Sequence, residues 1–275
     1  MLAQRAIGAA IVVVAFVVPL VIGGPLFLSL IVILSALAVF ELGRMFEGSV
    51  GSPLHVVSIG LTAIIIIDAF FQLEIADWVL IAATLGALTW LLFRTGEPEK
   101  SILSWALTLV GPLYIGWPLS RFVLLRELPD GLLWAAVALL GTWASDTGAY
   151  FVGRLCGRHK LYPRISPAKT WEGAVGGIAT PAVVVGILLL AVNRFGTSGP
   201  AVVDLPMWIL GITLGLLIGL ASTIGDLGES LIKRGTGVKD ASRLIPGHGG
   251  ILDRLDSLVF SVPLVYYYVV WLRLF

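Results

Sequence analysis

Between Arg5 and Glu41 the chain carries no charged side chain. About 20 consecutive apolar residues suffice to cross the hydrocarbon core of a bilayer, and this run is long enough to cross twice. It is interrupted at Gly23-Gly24-Pro25, a combination that ends helices and turns chains. The first stretch therefore reads as a helical hairpin in lipid. The pattern then recurs. Apolar runs at Pro53 to Phe71, Trp78 to Phe93, Ser101 to Ser120, Gly131 to Gly153, Gly173 to Val192, Pro206 to Lys233 and Ile251 to the C-terminus bring the expected number of spans to about nine. Gly111-Pro112 predicts a kink in the fifth.

Composition supports the same reading. The chain is 58% hydrophobic and 13% charged, with a mean hydropathy of +0.99, whereas soluble domains are about a quarter charged. Short alternating segments of the kind that build a β-barrel are absent from the sequence. The expected fold class is all-α: a polytopic membrane protein with a cytoplasm-facing polar site between its C-terminal spans. Residues 1–130 read as a transmembrane scaffold of about five helices, and residues 131–275 as the catalytic region of about four. The single cysteine, Cys156, forms no intramolecular bridge and reads as inert. No cleavable signal peptide is expected, because the first apolar run passes directly into a second.

Basic residues orient the chain. With nine spans, the side holding the N-terminus collects 14 of the Lys and Arg residues and the other side only Arg121, Arg126, Arg194 and Arg273. The positive-inside rule makes the rich side cytoplasmic. It also puts the two longest charged loops on one face. Glu41 and Asp68 each lie near a span end and read as residues reaching the interface.

Charge is concentrated from Asp226 to Asp256, a segment flanked by apolar runs. Asp226 and Glu229 lie three apart at the end of one span; Asp253 and Asp256 repeat that spacing at the start of the next. Residues three apart share a helix face, so two helices can aim paired carboxylates at one point. Each isolated charge would cost roughly 2.5–3.5 kcal/mol at the centre of a spanning helix. A divalent cation would relieve both that cost and the mutual repulsion. Hard oxygen donors without a Cys or His cluster point to Mg2+, with a second cation left open. Taken singly, Asp253 could instead favour a helix N-terminus, and Glu229 could pair with Lys233 four residues on.

Between the acidic pairs lie Lys233, Arg234, Lys239, Arg243 and the loop Pro246-Gly-His248-Gly249-Gly250. The glycines allow backbone N–H groups to approach a ligand, and the loop leads into a helix N-terminus, a ready anion site. Together with Arg254 these residues describe a metal–phosphate site. His248 reads equally as a phosphate donor or a polar turn residue. A second block adds Asp146 in the sixth span and Ser166-Pro-Ala-Lys169-Thr170 before the seventh, with Lys169 and Thr170 suited to phosphate. Arg154, Arg158, Lys160 and Arg164 fit either phosphate or anionic lipid.

The run Ser230, Lys233, Arg234, Lys239, Asp240, Ser242, Ile245, Pro246, His248, Gly249, Gly250, Asp253, Arg254 and Asp256 closely resembles the signature of the CDP-diacylglycerol synthases (phosphatidate cytidylyltransferases). The segments Asp146-Thr-Gly-Ala-Tyr150 and Ser166-Pro-Ala-Lys169-Thr-Trp-Glu-Gly173 are similar to the family's other recurring blocks. Ala168 stands where many members carry lysine, which removes one phosphate contact. The likeness covers residues 143–256; earlier spans match in hydropathy alone. It implies a Mg2+-dependent reaction of CTP with phosphatidate giving CDP-diacylglycerol and pyrophosphate. It further implies Asp226 and Asp253 as the metal ligands, with Glu229, Asp256 and Asp146 as further candidates, and Lys233 and Lys239 in catalysis. Arg234, His248, Gly249, Gly250, Arg254, Lys169, Ser166 and Thr170 would hold substrate. The implied setting is a homodimer in the cytoplasmic (inner) membrane, with no nucleic-acid partner. An ion-coupled transporter would also explain intramembrane carboxylates, but charge gathered on one face and the lack of repeats count against it.

Overall fold

The computed structural model describes residues 14–46, 55–93, 97–195, 206–242 and 249–273. Almost all of these are helical. Five helices among the described residues are long and apolar enough to cross a membrane: Gly24–Phe46, Pro98–Glu127, Trp171–Arg194, Met207–Gly235 and Leu252–Leu272. His55–Phe71 and Ala76–Leu92 are apolar but shorter. Large apolar side chains such as Trp78, Trp90, Val183 and Ile187 lie exposed on these helices. Water would penalise that surface at about 25 cal/mol per Å², and lipid does not. The chain is a polytopic helical membrane protein. Backbone contacts divide it into two compact units, Met1–Glu127 with Val238–Asp253, and Leu128–Gly237 with Arg254–Phe275.

In the first unit a helical stretch over residues 14–22 turns into α1 (Gly24–Phe46). The turn falls at the glycine pair expected from the sequence, and both glycines have positive φ, +75° and +56°. The carbonyls left open at the helix end are taken by Arg126, whose Nε donates to Leu20 O at 2.7 Å and Nη2 to Val21 O at 2.9 Å. Unpaired terminal carbonyls would be costly at membrane depth. α2 (His55–Phe71) and α3 (Ala76–Leu92) follow, then α4 (Pro98–Val110) and α5 (Trp117–Glu127). The expected irregularity at Gly111-Pro112 is a π-helical turn, Gly111–Gly116, joining α4 to α5. Pro112 has no N–H to continue the α-helical ladder.

Two residues flagged at span ends have specific partners. Asp68 lies near the end of α2, where its Oδ1 accepts the Ile75 N–H at 2.9 Å and closes the turn between α2 and α3. That turn needs the help, since Gln72 and Glu74 both sit at positive φ. Glu41 is buried, 2% exposed, and accepts hydrogen bonds from residues about 200 positions away, described below.

The second unit holds α6 (Gly131–Cys156), a hairpin of β1 (Lys160–Tyr162) and β2 (Ser166–Thr170), α7 (Trp171–Phe195), α8 (Met207–Gly235) and, from Arg254 onward, α9 (Leu252–Leu272). The antiparallel hairpin pairs Lys160 with Thr170 and Tyr162 with Ser166. It is a small departure from the all-α expectation, invisible because Ser166-Pro167 reads as a turn and the strands are too short to alternate. Cys156 is free and exposed at the end of α6.

What brings α7 and α8 together is a ladder of glycines one turn apart. A Cβ on Gly215 would lie 2.5 Å from Ala182 Cα, and one on Gly219 would lie 2.6 Å from Ile178 Cα. Backbone therefore meets backbone, the packing available to helices that gain nothing by leaving lipid for one another. Hydroxyls tie the other seams: Thr142 Oγ1 with Ser261 Oγ at 2.7 Å joins α6 to α9, and Thr213 Oγ1 with Tyr268 Oη at 2.9 Å joins α8 to α9. Replacing Gly215 with Val should force the helices apart. The expected cost is about 1–3 kcal/mol or more, read as a lowered Tm of detergent-solubilised protein, with Gly235→Val, where nothing lies within 4 Å of an added Cβ, as the contrast.

Candidate active site

α6, α8 and α9 each bring one aspartate to a common place in the second unit. Asp146 shares a hydrogen bond with the Ser257 side chain and lies within electrostatic reach of Asp226, Lys169 and Arg254. Asp256 interacts with Asp226, Asp146 and Lys233. The approach of α8 to α9 is close because Gly225 has no side chain: a Cβ there would meet Asp256 O at 2.5 Å. Asp226 is half-exposed and forms an ion pair with Lys169, Nζ to Oδ2 at 2.6 Å. Asp146 also remains exposed. Asp146, Asp226 and Arg254 of this cluster are thus accessible from outside the helices, while Asp256, Lys169 and Lys233 are more deeply placed.

Lys169 reaches Asp226 because β2 delivers it. Thr170, the next residue, caps α7: its Oγ1 accepts the Gly173 N–H at 3.1 Å, satisfying one of the helix's open donors. Glu172 accepts the backbone N–H groups of Arg158 and His159, and contacts His159 Nδ1 at 2.6 Å. Arg234 Nε donates to Ile165 O at 3.1 Å, at the start of the second strand. These bonds fix the hairpin to the ends of α7 and α8, so the position of Lys169 is set by several elements.

Other expected site residues have defined partners. Glu229 is 1% exposed and pairs with Lys233, Oε2 to Nζ at 2.6 Å, the i, i+4 arrangement that the spacing allowed. Ser166 pairs with Tyr162 across the hairpin, and Arg254 sits exposed on the first turns of α9. Lys239 is exposed on the segment after α8. Arg243, Pro246 and His248 lie outside the described residues.

Asp253 belongs with the first unit. Its Oδ2 accepts the Gly250 N–H at 2.7 Å and the Ala241 N–H at 3.2 Å. The N–H groups of Ile251 and Leu252 donate to Glu41 Oε1 and Oε2 at 3.0 and 2.8 Å. The start of α9 was expected to offer its amides to a phosphate. Instead the chain's own carboxylates take them. The glycines have a matching explanation: a Cβ on Gly249 would lie 2.8 Å from Asp253 Oδ2, and one on Gly250 would lie 2.5 Å from Glu41 Oε2. Glu41 is the residue that sequence reasoning missed. The available signal was a lone carboxylate closing a long charge-free run, without a basic residue at helical spacing except Arg44.

Donor chemistry is compatible with magnesium. The second unit's oxygen donors are hard carboxylates, two of them accessible. Among the described residues no three His, Cys, Asp or Glu side chains form a ready ligand sphere. Magnesium keeps several waters and commonly takes one or two carboxylates plus substrate phosphates, so it does not require one.

Comparison with known proteins agrees with the signature. A family model described as the cytidylyltransferase family matches residues 3–272. A phosphatidate cytidylyltransferase of Staphylococcus haemolyticus is 33% identical over 268 residues, 95% of this chain and 96% of that protein. One from Synechocystis sp. is 45% identical over 184 residues, 66% of this chain and 57% of that protein. One from Staphylococcus aureus is 41% identical over 166 residues, 60% of this chain and 59% of that protein. The protein is a membrane nucleotidyltransferase. More closely, the chain belongs to the cytidylyltransferase family.

Substitutions at Thr170 and at the Lys233–Glu229 pair separate structural from chemical roles. Thr170→Ala should lower stability by about 1 kcal/mol through the lost cap, whereas Thr170→Ser keeps the oxygen and should leave Tm nearly unchanged. Lys233→Met removes the ammonium beside a buried carboxylate and should cost several kcal/mol, on the order of 3–5. The double variant Lys233→Met with Glu229→Leu should recover much of that loss in the same thermal measurement. Recovery of activity along with stability would make the pair structural.

Proposed function

We propose that this protein is a phosphatidate cytidylyltransferase, transferring the cytidylyl group of CTP to phosphatidate to give CDP-diacylglycerol and pyrophosphate in phospholipid synthesis. The observation that carries the reading is the match to a relative of that name along nearly the full length of both chains. The signature from Ser230 to Asp256 supports it.

The chemistry suits the residues. A phosphate monoester has a second pKa of about 6, so the lipid's phosphate oxygen is already a nucleophile near neutral pH. It attacks the α-phosphorus of CTP; the bond to the bridging oxygen breaks, and pyrophosphate leaves with that oxygen's electron pair. No base has to remove a proton. The barrier is repulsion between two polyanions. In this reading Lys169 exchanges Asp226 for a substrate phosphate, and Arg254 and Lys239 add positive charge around the leaving group. Arg234 and the hairpin hold Lys169 in place, with Ser166 and Thr170 framing it. Asp226 and Asp253 are the proposed Mg2+ ligands, with Asp146 and Asp256 beside them. Bound Mg2+ would supply neutralisation of the phosphate charge.

One substrate is a lipid and the other is soluble, which favours a site at the cytoplasmic boundary of the cell's inner membrane. The basic-residue asymmetry supports that orientation. Nine crossings and a homodimer complete the proposal, the latter on family resemblance. The test is conversion of phosphatidate in mixed micelles by purified protein. Product and pyrophosphate should appear with CTP, stop on chelation and resume with added Mg2+. Asp226→Ala and Asp253→Ala should each lower turnover about 100-fold or more. Full activity in both would remove the ligand assignment, and failure of the wild-type protein with CTP would remove the function.

A further inference from the structure

Glu41 lies on α1, far in sequence from the signature, yet its carboxylate gathers three donors from it. Oε1 accepts the Ser242 hydroxyl at 2.5 Å and the Ile251 N–H at 3.0 Å, and Oε2 accepts the Leu252 N–H at 2.8 Å. The residue is 2% exposed. We propose that Glu41 is a positioning residue for the transfer reaction, holding Ser242 of the signature segment beside Ile251 and Leu252 so that Asp253 keeps one orientation. The proposal rests on the reading of Asp253 as part of the reacting site.

Three features carry it. First, the bonds make two parallel crosslinks between the same pieces of chain. Asp253 ties Ala241 to Gly250, and Glu41 ties Ser242 to Ile251 and Leu252. The carboxylate of Asp253 therefore keeps both of its backbone bonds, to Gly250 and to Ala241, only while residues 241 and 242 stay beside the start of α9. Second, the fit is close. A Cβ on Gly250 would lie 2.5 Å from Glu41 Oε2, so the hydrogen-bonded position of a residue outside the signature matches a glycine within it. Third, the chemistry needs a carboxylate. Two backbone amides and a hydroxyl all point donors at Glu41, the helix N-terminus favours negative charge, and hydrogen bonds to an ionised acceptor are the stronger kind. An amide of the same length would turn an NH2 toward at least one donor.

That last point separates this role from plain packing. Glu41→Gln preserves size and removes only the second acceptor oxygen. If Glu41 merely fills space, Gln substitutes for it. If it positions Asp253, turnover per folded enzyme should fall by about 100-fold, the cost of misplacing a reacting group by about 1 Å, with KM for CTP little changed. Hydrogen exchange of the peptide covering residues 249–253 should quicken in the same variant, without reference to activity. Ser242→Ala deletes one of the three donors and should shift both readouts in the same direction, by about 5-fold in turnover. This variant carries the test if Glu41→Gln does not accumulate as folded protein. Wild-type turnover and wild-type exchange in Glu41→Gln would overturn the proposal. So would faster exchange with unchanged turnover, which would make the clamp structural only. A wild-type enzyme inactive on CTP and phosphatidate would instead sink the functional reading, while the exchange measurement would still report on the clamp.

Discussion

A carboxylate among apolar helices is stable only in the company of donors that arrive with it. Desolvation of an ionised group costs several kcal/mol even after the protein relaxes, and each buried acid here has a distinct solution. Glu229 has an ammonium one turn away on its own helix. Glu41 has the open amides of another helix and a serine hydroxyl. Asp226, less buried, has a lysine delivered by a hairpin. The rest of the architecture follows from supplying these partners. The hairpin exists where Lys169 must reach α8, and the signature segment folds back onto α1 where the start of α9 must be capped.

Apolar contacts do different work. In lipid the helices gain little from hiding hydrocarbon, and the closest approaches are made where side chains are missing. Gly215 and Gly219 let α8 lie against α7, and Gly225 lets it lie against α9. The polar cluster then forms at the end of α8 that these contacts steady. Packing and chemistry thus occupy successive stretches of one helix, with glycines first and charges after them.

Much of this was legible in the chain. Runs without charge marked the helices, and the Gly23-Gly24 turn and the Gly111-Pro112 irregularity fell where the residues said. Those features are local: a glycine at positive φ or a proline without an N–H acts on its neighbours. The acidic pairs were legible only in part: Asp226 and Asp256 interact with each other, whereas Glu229 pairs with Lys233 and Asp253 accepts the amides of Ala241 and Gly250. What stayed hidden was long in range. Nothing near Glu41 announces that its donors come from Ser242, Ile251 and Leu252. Nothing near Thr170 says whether its hydroxyl serves a helix or a ligand. Gly249 and Gly250 read as glycines that let backbone N–H groups approach an anion, and carboxylates of the same chain stand beside them, accepting the amides of Gly250, Ile251 and Leu252. Grouping of Val238–Asp253 with the N-terminal helices likewise depends on contacts that sequence order conceals.

The glycine ladder of α8 has a mechanical corollary. Contact between bare backbones contains no rotamers to adjust, so a perturbation there is not absorbed locally. It is transmitted along the rod. Asp226 stands seven residues beyond Gly219, about 10 Å at the rise of an α-helix, and a tilt of a few degrees at the ladder displaces it by a sizeable fraction of an ångström. Residues in the apolar stretch of α8 thereby set the aim of a carboxylate about two turns further along the same helix.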